Sequence, residues 1–134
     1  MKKPTVLIVD DEMKYVSALT EFLRANGYRV HGVDDGAEVD QILTTKHIDV
    51  MILDLLMPGM NGWEVMRMLK DSLAPGHWQI DRGVKVIVTT GLPDQDVKGF
   101  ALKLGADAYL VKPVDPKQIL ETLRTVLGNG LPSG

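Results

Sequence analysis

The chain contains no cysteine, so disulfides and thiolate chemistry are excluded and the redox compartment is left open. It has no apolar run long enough to cross a bilayer. The stretch after Met1-Lys2-Lys3 meets Asp10 too early for a signal peptide or a membrane span. No internal repeat or low-complexity block interrupts it. Charge of one sign is also scarce: a net charge of −3 and a pI near 5.5 argue against holding nucleic acid by electrostatics alone. These absences predict a soluble, cytoplasmic protein that binds neither membrane nor nucleic acid directly. At 134 residues, 45% hydrophobic and 25% charged, the chain is about one domain with enough material for a real core.

What is present is an alternation of short β-branched runs with longer periodic segments, the pattern of βα units around a parallel sheet. Strands are predicted near Thr5–Val9, Arg29–Val33, Asp49–Leu53, Lys85–Thr89 and Ala108–Val111. Their nearly continuous apolar character suits strands covered on both faces. Segment 13–26 puts Val16, Leu19, Phe22 and Leu23 on one stripe and stops at Asn26-Gly27. Segment 37–45 carries Val39, Ile42 and Leu43. Segment 62–73 follows Asn61, which forms a capping box with Glu64. Segment 94–104 is the weak helix, because Gly99 at its middle costs about 1 kcal/mol relative to alanine. The last helix opens at Asp115-Pro116 and carries Ile119, Leu120, Leu123 and Val126 before Gly128. Right-handed crossovers then give a doubly wound, five-stranded parallel α/β sheet with helices on both faces, of flavodoxin-like type. The domain is expected to occupy residues 1–128. Residues 129–134 read as a tail or the start of a linker; no output domain is expected within the sequence after residue 128, so the domain is expected either to stand alone or to be part of a longer regulator.

In such a sheet, ligands bind outside the carboxyl ends of the strands, and Asp10, Asp11, Asp54, Thr89 and Lys112 all fall there. Singly, each has an ordinary explanation. Asp10 or Asp11 could cap the following helix, Asp54 could be a turn residue before Met57-Pro58-Gly59, and Lys112 could be a solvated loop lysine. Together they are harder to dismiss, because carboxylates held close repel one another unless something compensates. A magnesium ion fits: it takes one or two carboxylates, waters and a phosphate oxygen. Lys112 is then a counter-charge that also pairs with a phosphoryl oxygen, and Pro113 after it is a candidate cis bond. Thr89 and Thr90 are ordinary strand residues, yet a hydroxyl at a strand's carboxyl end could donate to a phosphoryl oxygen.

Four stretches carry a resemblance: Val-Leu-Ile-Val-Asp-Asp-Glu (6–12), Asp-Leu-Leu-Met-Pro-Gly-Met-Asn-Gly (54–62), Val-Thr-Thr-Gly (88–91) and Gly-Ala-Asp-Ala-Tyr-Leu-Val-Lys-Pro (105–113). In this order and spacing the chain resembles a response-regulator receiver domain, the phospho-acceptor of two-component signalling. The resemblance implies a switch rather than an enzyme, one that promotes only its own phosphorylation and dephosphorylation. Asp54 would accept a phosphoryl group from a sensor histidine kinase or a phosphotransfer protein. Asp10, Asp11 and Asp54, with the backbone carbonyl of Leu56, would hold Mg2+. Thr89 and Lys112 would contact the phosphoryl oxygens. Thr89 and Tyr109 would form the switch, acting on a downstream protein through the face of segment 94–104, the strand of Tyr109 and the last helix. Without the resemblance, Tyr109 reads equally well as a half-buried strand tyrosine.

The chain departs from that pattern in places. Residues 71–83 make a long connection, read as a tolerated surface loop or as a partner contact through Trp78. Thr90, where the family often has alanine, and Gly91 border the expected acyl phosphate. His31, His47 and His77 share no ligand spacing and read as structural or solvent-facing. Met51, Met66 and Met68 read as core filling. Two rivals belong to other classes. A magnesium-dependent phosphatase of the haloacid type would want a second acid where Leu56 stands. A flavin- or nucleotide-binding domain would want a glycine- or hydroxyl-rich loop after the first strand, where acids stand instead.

Overall fold

The computed structural model describes residues 3–55, 84–91, 95–103 and 105–128. The expected helix 62–73 with its Asn61–Glu64 cap, the 71–83 connection, His77, Met66, Met68 and the 129–134 tail lie outside the described residues. Within them the elements run β1 (Thr5–Val9), α1 (Met13–Ala25), β2 (Arg29–Val33), α2 (Ala37–Thr45), β3 (Val50–Asp54), β4 (Lys85–Thr90), α3 (Gln95–Lys103), β5 (Ala108–Val111) and α4 (Pro116–Val126). All five strands are parallel, in the order β2-β1-β3-β4-β5. The order reverses between β1 and β3, and a crevice opens there at the carboxyl ends.

Side chains alternate between faces along each strand, and the core divides accordingly. Leu7, Val9, Met51, Leu53, Val86 and Val88 join Val39 and Leu43 of α2 and Ala101 of α3. Val6, Ile8, Val50, Ile52 and Ile87 join Val16, Leu19 and Leu23 of α1 and Ile119, Leu120 and Leu123 of α4. This parity has a consequence for the site. Counting by twos from Ile8, Ile52, Ile87 and Leu110 gives Asp10, Asp54, Thr89 and Lys112, all on the α1/α4 side of the sheet. Tyr109 has the opposite parity and packs against the α2/α3 core.

The helix signals act as the sequence suggests. α1 ends at Ala25 and Gly27 takes φ 95°, a left-handed value suited to glycine. Asp115 accepts a hydrogen bond from the Lys117 amide at 2.9 Å, with Pro116 in the first turn of α4. α3 forms despite Gly99, which lies on an exposed side with nothing near its missing Cβ.

Two expectations need correction. β3 and β4 each reach one residue further than their apolar runs, to Asp54 and Thr90. A polar side chain ends an apolar run but not a backbone ladder: Asp54 still pairs with Thr89, and Thr90 with Val111. Cover on both faces also fails at the edges. β5 is only half-buried, with Val111 39% exposed, and Arg29 and Gly32 of β2 are exposed.

Gly32 lies where α1 crosses β2. A Cβ there would stand 2.6 Å from Val16 Cγ1, and Val16 is buried and stiff about χ1. Gly32→Ala is therefore expected to destabilise the fold by about 1–3 kcal/mol through overpacking. Urea unfolding checks this; an unchanged or raised midpoint would contradict the close approach.

Candidate functional site

The carboxyl edge brings four strand ends together. Asp10 follows β1, and its amide still donates to the Val33 carbonyl at 3.1 Å, so the backbone is held to β2 where the side chain turns into the crevice. Asp54 closes β3 beside Thr89 of β4. Lys112 follows β5, and its amide donates to the Thr90 carbonyl at 2.8 Å. The Lys112–Pro113 peptide bond is cis. Asp10, Asp54 and Thr89 are buried, at 2%, 4% and 1% exposure, while Asp11 is exposed.

Oxygen atoms of Asp10, Asp11 and Asp54 lie within 4.8 Å of one another. Lys112 Nζ donates to Asp10 Oδ2 at 2.7 Å, to Asp54 Oδ2 at 3.3 Å and to Glu12 Oε1 at 3.3 Å. Burial opposes the charge on this ammonium. The hydrogen bond and charge of Asp10, then the charge and hydrogen bond of Asp54, outweigh burial and raise its pKa above the ordinary lysine value. Asp10 does two jobs, since its Oδ1 also accepts the Glu12 amide at 2.9 Å. It does not cap α1, whose N-cap is Glu12 with no side-chain cap hydrogen bond; the bond closes a local turn just before the helix and leaves Oδ2 for Lys112.

One ammonium cannot balance the Asp10, Asp11, Glu12 and Asp54 carboxylates. The donor set is all oxygen, partly buried and acidic, which fits a hard divalent cation. A second observation points to a ligand oxygen at the same edge. Thr89 Oγ1 is buried and, among the described residues, has no hydrogen-bond partner, a costly condition unless a ligand oxygen meets it. Leu56, expected to lend a carbonyl, lies outside the described residues. Thr90 is fully buried at the edge, and Tyr109 is half-buried on the opposite face of the sheet.

Two neighbours were not singled out by sequence reasoning. Glu12, third in the acidic run, reaches Lys112. Tyr15, in the first turn of α1, sets its ring 5.4 Å from Lys112 Nζ and buries a hydroxyl that finds no partner among the described residues. Burial, and then the Asp10 charge, raise its pKa, so the phenol stays neutral at neutral pH. Among the described residues, His31 and His47 lie away from this edge. His47 pairs with Asp49 at 3.0 Å near the opposite, amino edge, and His31 on β2 has its pKa lowered by burial and by the nearby charges of Lys46 and Arg24.

Comparison with known proteins bears on this geometry. Residues 6–124 match the family described as response regulator receiver domain. The transcriptional regulatory protein CusR of Escherichia coli K12 is 34% identical over 125 residues, covering 93% of this chain and 52% of CusR. The chain thus spans about half the length of the curated relatives it matches. The crystal structure of a response regulator receiver protein from Burkholderia phymatum superposes with a TM-score of 0.76 at 36% identity, covering 97% of this chain and 99% of that one. The receiver domain of sensor histidine kinase PA1611 from Pseudomonas aeruginosa PAO1 shares the fold, with a TM-score of 0.79 at 24% identity over 95% and 99% of the two chains. In that protein a magnesium ion is coordinated in the active site cleft.

Proposed function

Because the chain belongs to the response regulator receiver domain family, the phospho-acceptors of two-component signalling, we propose that Asp54 is its acceptor and that the surrounding edge is its phosphorylation site. The observation that carries this reading is the meeting at one strand edge of three carboxylates, Lys112 and the Thr89 hydroxyl, which has no partner among the described residues. An ionised Asp54 oxygen attacks phosphorus on a phosphohistidine, the N–P bond breaks, the imidazole leaves with the nitrogen's electron pair, and an aspartyl phosphate remains. Lys112 neutralises charge on the phosphoryl oxygens, and Thr89 donates its hydroxyl hydrogen to one of them. Asp10, Asp11 and Asp54, with the Leu56 carbonyl, are the residues that would hold Mg2+. The ion supplies positive charge that offsets repulsion between the acidic site and the incoming phosphoryl group.

The donor is a sensor histidine kinase or phosphotransfer protein, which places the work in the cytoplasm, and a downstream protein reads the result. Thr89 and Tyr109 are the switch pair. They sit on adjacent strands with opposite parity, so a shift of Thr89 toward phosphate alters the space behind Tyr109 on the α3 side. Phosphate can bias that face only through contacts it makes in one conformer, a population shift. No turnover of other substrates is expected. Intact-mass measurement with a small phosphodonor should show one added phosphoryl group with Mg2+ and none with chelator, while the circular dichroism spectrum stays the same. Equal uptake under chelation would count against the metal site.

A further inference from the structure

Lys112 touches more than acids. Beyond Asp10, Asp54 and Glu12, its fourth neighbour is the ring of Tyr15, on the first turn of α1 and partly buried against the α1/α4 core. Two of the three carboxylate contacts, Asp10 and Asp54, belong to the acids that a divalent cation would claim. When that cation screens their charge, the pull on the lysine falls. Lysine has a flexible four-carbon stem and a rotatable head, so a weaker pull means a less defined position. A cation–π contact does not depend on carboxylate charge, and it strengthens where the ammonium is desolvated; the Lys112 side chain is only 17% exposed. The tyrosine hydroxyl has no partner among the described residues, so it is the ring that forms the contact.

We propose that Tyr15 is a positioning residue for phosphoryl transfer, an aromatic seat that keeps the Lys112 ammonium at the mouth of the site once the carboxylates are engaged elsewhere. This rests on the reading that Lys112 neutralises phosphoryl charge.

The test uses the full chain, Mg2+ and a small phosphodonor. Tyr15→Phe keeps the ring and should phosphorylate within about twofold of the parent, whereas Tyr15→Leu should be slower by about fivefold or more. In a Lys112→Met background, Tyr15→Leu should add no further slowing, since coupled residues are not additive. By NMR, the Lys112 ε-methylene protons should be shifted upfield by the ring in the parent and in Tyr15→Phe, and return to ordinary positions in Tyr15→Leu. The proposal is overturned by a Phe variant as slow as Leu, by a Leu variant as fast as the parent, by equal slowing in the Lys112→Met background, or by unshifted Lys112 protons in the parent. A parent that takes up no phosphate at all would instead defeat the phosphorylation reading, and the NMR shift would still decide the seat.

Discussion

An Asp54→Asn variant is expected to take up no phosphoryl group from a small phosphodonor under conditions that load the parent fully. Asparagine keeps the shape and the strand pairing with Thr89, but its amide oxygen is neutral and cannot form a stable acyl phosphate. The substitution also removes one of four carboxylates crowded around one ammonium, relieving repulsion while weakening the 3.3 Å contact to Lys112. Those effects oppose each other, so stability should stay within about 1 kcal/mol of the parent. A folded variant that still gains phosphate would place the acceptor elsewhere.

The second large effect is expected at Lys112. Lys112→Met retains most of the apolar stem and deletes the charge, leaving buried Asp10 and Asp54 without their ammonium. Removing one partner of a buried pair costs about 3–5 kcal/mol; because Asp11 and Glu12 are exposed, about 2 kcal/mol is the expected loss without metal. Saturating Mg2+ should recover much of it, since a bound cation replaces the missing counter-charge. Phosphorylation should fall by about 10²-fold or more, the usual result of removing one preorganised charge stabiliser. The sign with pH follows from the raised pKa of Lys112. Its stabilisation is complete below the ordinary lysine pKa of about 10.4 and is lost only as pH rises through the higher folded-state value, so the deficit of the variant should persist at neutral pH. Urea unfolding with and without Mg2+ checks this; equal stability of parent and variant without metal would contradict the pairing.

Much of this architecture is legible in the residues because backbone and side-chain signals agree. β1, β2 and β5 occupy the ranges their β-branched runs mark, and Asn26-Gly27 and Asp115-Pro116 punctuate α1 and α4 as written. The chain positions of Asp10, Asp54, Thr89 and Lys112 could be read as strand ends, and parallel pairing does the rest. What escaped the sequence depends on three-dimensional approach. The crossing of α1 over β2 at Gly32, and the reach of Glu12 and Tyr15 to Lys112, depend on how the helix is seated. Tyr15 did carry one signal: an aromatic residue in the first helical turn after three consecutive acids, one residue before the apolar stripe begins at Val16. The half-exposed edge of β5 was hidden because Ala-Tyr-Leu-Val reads as apolar whether or not a helix covers it.

Asp54 is the proposed nucleophile of the carboxylate crevice, and every other role assigned at this edge depends on it. The most direct measurement is peptide mapping by mass spectrometry of the protein after phosphorylation with Mg2+. The phosphoryl group should fall on the peptide containing Asp54, in an acid-stable but hydroxylamine-labile linkage typical of an acyl phosphate. Phosphate on any other peptide, or in a linkage that resists hydroxylamine, would contradict it.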